Sequence, residues 1–228
     1  MKTIASPNPW QQALGQRLAQ AMTTSRLAHA PQTDATAPAT THWRLWPRDL
    51  PGEGVAPALT EMLGVASTPA LLQQCLQHFR QQFGGGAAQD DLGLALAAYL
   101  GACRQAFDQE PLTPQRWQAI VQWLRAWVLD ELPWDDVPLA QRQDAFERMA
   151  VLAVALGEWT VQASRQGQAM VASATWMARS SLRGQLGLDL PALCAVLRGL
   201  DSTTAANPSA SGEDLGAAAA SRPGAKPV

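Results

Sequence analysis

The stretch Gln141–Gly167, QRQDAFERMAVLAVALGEWTVQASRQG, constrains this chain more than any other. It lies in the longest proline-free run of the sequence, and its only interior glycine is Gly157. Its middle, Met149–Leu156, is wholly apolar, while both ends mix apolar with charged residues. A helix that is apolar all round at its centre is covered by neighbours on more than one side. The stretch therefore predicts the central helix of a bundle. In projection one face runs through Phe146, Met149, Leu156 and Ala163. A second face is apolar only around Val151 and Val154, and it carries Glu158. If that second face is also buried, the Glu158 carboxylate needs a partner from another helix, and the alternative is a solvated glutamate.

The flanking sequence repeats one grammar of helix starts and stops. Thr68-Pro69 and Thr113-Pro114 each place a capping hydroxyl before a proline at the first helical position. Gly64 and Gly187 stand where apolar periodicity ends. This predicts helices over Val55–Leu63, Pro69–Phe83, Asp90–Phe107 and Pro114–Leu132. The central helix follows, then Ala169–Leu186 and Pro191–Leu200. Leu72, Leu76, Phe79 and Phe83 share a face of the second of these, and Leu92, Leu96, Tyr99, Leu100, Cys103 and Phe107 share one of the third. Asp90 and Asp91 fall where carboxylates favour the positive end of a helix dipole. No segment alternates as a strand does. The expected fold is all-α: a single bundle-like domain of six or seven helices over residues 54–200. Residues 1–53 read as a mostly flexible arm with a short helix at 10–22 and a Trp/Arg segment at 42–48. Residues 201–228, rich in Ala, Ser, Gly and Pro, read as a disordered tail.

Composition excludes several classes. The formal net charge is −2 over 228 residues, whereas a nucleic-acid binder carries a basic stripe, so no nucleic-acid partner is expected. No window is long and apolar enough to span a bilayer, and the N-terminus has no apolar signal core. Cys75, Cys103 and Cys194 are odd in number and widely spaced, which suits buried free thiols in the cytoplasm.

Catalytic and metal chemistry find little footing. Of the three histidines, His29 and His42 lie in the arm, and only His78 is paired with a cysteine at helical spacing, Cys75. A zinc site needs further ligands. Di-iron bundles need Glu-x-x-His pairs on facing helices, and none occurs. Gly84-Gly85-Gly86 lacks the Lys-Ser/Thr of a phosphate-binding loop and reads as a turn. No catalytic residue, metal site or cofactor is expected.

The surface offers more. In Ala169–Leu186 the buried stripe leaves Trp176, Arg179 and Arg183 together on another side, as a binding surface, an intramolecular cation–π pair or a seat for a Trp43/Trp46 clip. Trp and Arg are the residues most enriched at binding hot spots. Trp43, Arg44 and Trp46 have the same composition, either as a clip laid on the core or as a linear docking motif. A different reading takes Tyr99, Trp117, Trp123, Trp127 and Trp159 as the lining of a small-molecule pocket between helices.

From Asp90 to Leu193 the order of features resembles a catalogued bacterial domain family with no assigned function. The resemblance rests on four features. Asp90-Asp91 lead through an Ala-rich helix to Tyr99, and Leu112-Thr113-Pro114 open the next helix. Gln141, Gln143 and Glu147 lead into Ala150–Leu156, and Leu186-Gly187-Leu188-Asp189 close the pattern. It implies a helical fold and supplies no catalytic residues. The expected function is a non-catalytic module that binds another protein, as an adaptor, secretion-system accessory or toxin-neutralising partner. A small-molecule sensor is the second expectation and an enzyme the third.

Overall fold

The computed structural model describes residues 9–23, 45, 51–52, 54–64, 66–83, 90–132 and 136–205. Among them are eight helices: α1 (Pro9–Thr23), α2 (Val55–Leu63), α3 (Pro69–Phe83), α4 (Leu92–Asp108), α5 (Pro114–Glu131), α6 (Leu139–Gln166), α7 (Gln168–Leu186) and α8 (Leu190–Ala205). The described residues form no strand; an isolated antiparallel bridge joins Leu45 to Asp90. None of these helices is long and apolar enough to cross a membrane.

The centre of the molecule is a pair of helices. α4 and α6 share the most extensive interface; α2, α3 and α7 also pack on α6, and α5, α7 and α8 on α4. Composition explains the pairing, because both helices carry small residues on their buried faces. Ala95, Ala97 and Ala98 of α4 and Ala145, Ala150 and Ala153 of α6 are all buried, and small side chains let helix axes approach closely. Larger side chains fill the flanks. Phe79 of α3 meets Phe146 of α6 edge-on at 5.7 Å between ring centroids, and Phe83 lies 5.3 Å from Trp117 of α5.

Helix ends follow the expected grammar at several points. Asp91 caps α4 by accepting the Leu94 N–H at 2.9 Å, and Thr113 caps α5 by accepting the Arg116 N–H at 3.3 Å. Asp90, expected beside Asp91 as a dipole partner, faces inward instead. A single residue, Gly167, separates α6 from α7, with φ 102° and ψ 178°. A side chain is strained at that φ, so glycine is what lets the chain reverse within one residue. Arg148 and Gln185, about equally far from Gly167 along the two helices, are hydrogen-bonded at 3.4 Å, so α6 and α7 run antiparallel.

Two boundaries differ from expectation. α8 continues to Ala205, beyond Leu200, because Asp201-Ser202-Thr203-Thr204-Ala205 contains no proline or glycine to stop it. The expected N-terminal helix forms as α1 and is packed on α7. Leu14 and Leu18 are buried in the common core, and a Cβ on Gly15 would fall 1.9 Å from the Leu186 carbonyl oxygen. α1 can lie this close only because position 15 has no side chain.

The second face of the central helix is covered by the rest of the chain. Val151 is fully buried and Val154 is 8% exposed. Glu158 is not a buried charge: its side chain is 66% exposed, with His78 Nε2 at 3.8 Å from Oε1. It lies near the C-terminal end of α6, where the wholly apolar segment has given way to an amphipathic one.

Candidate functional site

α7 has two sharply different sides. Ala174, Met177, Ala178, Ser181, Leu182, Gln185 and Leu186 are buried. Ser181 Oγ is 2.8 Å from the Tyr99 hydroxyl, and Thr175 Oγ1 donates to the Ala106 carbonyl at 2.7 Å. These contacts fix the rotation of α7 about its axis. At 100° per residue, Ala172, Trp176, Arg179 and Arg183 then fall within a sector of roughly 60° on the opposite side, and all four are exposed. Trp176 is 66% exposed, more than Leu139, Val161 or Leu129, the other large apolar side chains exposed among the described residues.

The electrostatics of this face are simple. α7 contains two arginines and no carboxylate. Among the described residues, neither Arg179 nor Arg183 has an acidic partner within 4.0 Å. Glu61 of α2 comes up to Gly184, which lies about a quarter-turn away round the helix from Arg183. Beyond Arg183 a groove of about 320 Å³ opens between α1 and the end of α7, bordered by Gln12, Gln16, Ala19, Arg183 and Gln185. The three residues singled out from the sequence thus share one open face, continuous with a groove that sequence reasoning missed.

The other residues singled out from the sequence are placed as follows. Trp43, Arg44 and Trp46 lie outside the described residues. Leu45 between them is 1% exposed, and it exchanges two backbone hydrogen bonds of 3.1 Å with Asp90. The five aromatic residues expected to line one pocket serve separate interfaces. Tyr99 is fully buried against α7 through Ser181. Trp117 lies near Gly101 and Phe83, on another side of α4. Trp123 and Trp127 stack with each other at 6.5 Å on α5, and half-buried Trp159 packs at the core's margin. Being apolar and large, they fill helix–helix gaps wherever the bundle leaves them.

A buried polar cluster is the feature that sequence reasoning missed most completely. The Asp90 carboxylate receives Arg80 through Nε and Nη2, both at 2.8 Å, and the Gln143 amide at 3.0 Å. The same Gln143 nitrogen donates to Glu147 Oε1 at 3.2 Å. Glu147 Oε2 accepts the Gly52 N–H at 2.7 Å. Glu147 is fully buried, and Asp90 and Gln143 are each 3% exposed. The bond to Asp90, and then the charges of Asp90 and Glu147, hold Arg80 above its ordinary value although burial opposes this. Here two buried carboxylates share one amide, and the donors that occupy them come from the chain's own backbone and side chains. The cluster, with the backbone pairing of Leu45 and Asp90, ties Leu45 and Gly52 to α3, the start of α4 and α6. Gln143 and Glu147 at i, i+4 were visible as a pair, but nothing local marked them as interior.

Burial, and then the charge of Glu158, push the Cys75 thiol up, the reverse of an activated nucleophile. Among the described residues no group of three or more His, Cys, Asp or Glu side chains is arranged to hold a metal ion.

The model of DUF6683, a family of unknown function, matches residues 12–193. No curated protein matches, and no solved structure matches.

Proposed function

We propose, for a chain that belongs to the DUF6683 family, a non-catalytic role in binding another protein through the outer face of α7. The observation that carries this reading is the exposure of Trp176, at 66%, on the same open sector as Arg179 and Arg183. A tryptophan side chain presents roughly 200–250 Å². Covering its exposed part removes enough apolar surface from water to contribute on the order of 3–4 kcal/mol. The flanking guanidiniums supply directional donors for carboxylates. An adaptor, a secretion-system accessory and a toxin-neutralising partner would each use such a face. Cys75, Cys103 and Cys194 are all free and buried, which supports a reducing compartment such as the cytoplasm.

The test is a double variant, Trp176→Ala with Arg179→Ala, in the full chain. Both side chains are exposed, so the thermal transition is expected to stay within a degree or two of the parent's. A partner that co-purifies with the parent chain is expected to be lost. If the double variant retains the same partner, the binding surface lies elsewhere.

A further inference from the structure

The outer line of α7 is more specific than an exposed tryptophan beside two arginines. Ala169, Ala172, Trp176, Arg179 and Arg183 are all exposed, and they are spaced three, four, three and four residues apart. That is the a/d spacing by which one helix presents a seam to a second helix. The buried side of α7 is already committed to α4, α6 and the other packed helices, so this seam has no partner among the described helices. It spans about 21 Å at 1.5 Å per residue, or about four turns.

The seam has two chemically distinct halves. Ala169 and Ala172 are small, which lets a second helix approach closely, and Trp176 stands next to them as a large apolar knob. Arg179 and Arg183 then occupy seam positions that are apolar in an ordinary coiled coil. A helix lying along this line has to present carboxylates to them, because two facing guanidiniums covered by apolar residues would be desolvated without compensation. No carboxylate on α7 is available to serve instead. The seam runs at its cationic end into the α1/α7 groove, which Gln12 and Gln16 line together with Arg183.

From this spacing and charge layout we infer that the α7 face docks one amphipathic helix of a partner protein, apolar at one end and acidic at the other. The apolar end lies over Ala169, Ala172 and Trp176, and the carboxylates lie over Arg179 and Arg183. The inference rests on the reading of α7 as a docking face and adds what that face recognises.

The experiment that separates the two places a photo-crosslinking phenylalanine at position 176 of the full chain, in the cells it comes from. The crosslinked peptide is then identified by mass spectrometry. The expected product is a helical segment of another protein with at least two carboxylates within two to three turns of the crosslinked residue. A partner segment without such carboxylates overturns the acidic-helix inference and leaves the docking face standing. Crosslinks only within the chain itself, or none, overturn both. A synthetic peptide of the crosslinked segment then tests the charge pairing directly. Arg179→Glu with Arg183→Glu is expected to weaken its binding at least tenfold at an unchanged thermal transition. Exchanging the peptide's carboxylates for lysines is expected to restore binding to that variant. Equal binding by parent and charge-reversed chains contradicts the inference.

Discussion

Glu147 and Glu158 lie three turns apart on the same helix and have opposite fates. Glu147 is fully buried, with Gly52 and Gln143 as donors, whereas the Glu158 side chain is 66% exposed. Glu147→Ala strands the Gly52 N–H and part of the Gln143 amide in the interior. It is expected to cost about 3 kcal/mol in urea-unfolding measurements. Glu158→Ala is expected to change stability by no more than about 0.5 kcal/mol. Of the two readings the sequence left open for Glu158 the solvated one holds, and the burial of Glu147 was not legible for a physical reason: its donor comes from a backbone 95 residues away, and no local pattern announces it. Asp108 gives a prediction in pH. Burial alone would raise its carboxyl, but hydrogen bonds from Arg198 and Arg104 outweigh it and hold the group below the ordinary aspartate value of 3.8. A group depressed on folding stabilises the fold above its unfolded value and loses that contribution as pH falls through the folded one. The difference in melting temperature between the parent and Asp108→Asn should therefore hold steady from pH 5 to 8 and close below about pH 3.8. The thiols give a third. Burial, above all, raises Cys194 to about 11 and Cys103 further still, so both should resist alkylation at neutral pH in the folded chain and react once it is unfolded.

At the scale of elements, the helices were largely legible because each carries its own start and stop. The Thr-Pro openings and the glycine stop at Gly187, with φ 66°, act within one or two turns. What escaped the sequence was which helices touch. The pairing of α4 with α6 follows from alanine faces that are individually unremarkable, and the seating of α1 turns on one glycine. Two substitutions of the same kind should therefore diverge. Gly15→Ala places a methyl against the backbone of Leu186 and should free α1, seen as loss of hydrogen-exchange protection in Pro9–Thr23 with the rest of the bundle retained. Gly157→Ala meets nothing within 4 Å in the middle of α6 and should raise stability by about 0.5–1 kcal/mol through helix propensity alone.

At the scale of the whole molecule, the described helices bury most of their large apolar side chains and leave a seam on α7 open. Trp176, Arg179 and Arg183 were legible as a set because helical periodicity assigns faces once the buried stripe is known. The groove beside them was not, since it needs α1, which reaches α7 across a long intervening segment. Tyr99 of α4 and Trp117 of α5 lie on different sides of α4, a consequence of packing that composition does not announce. The most direct measurement compares the oxidation rates of individual tryptophans by hydroxyl-radical footprinting, in the purified chain and inside the cells it comes from. Trp176 should react far faster than buried Trp123 and Trp127 in the purified chain, and should become protected several-fold in cells while those two do not change. Equal reactivity of Trp176 in both settings would contradict the claim that this face is covered by a partner.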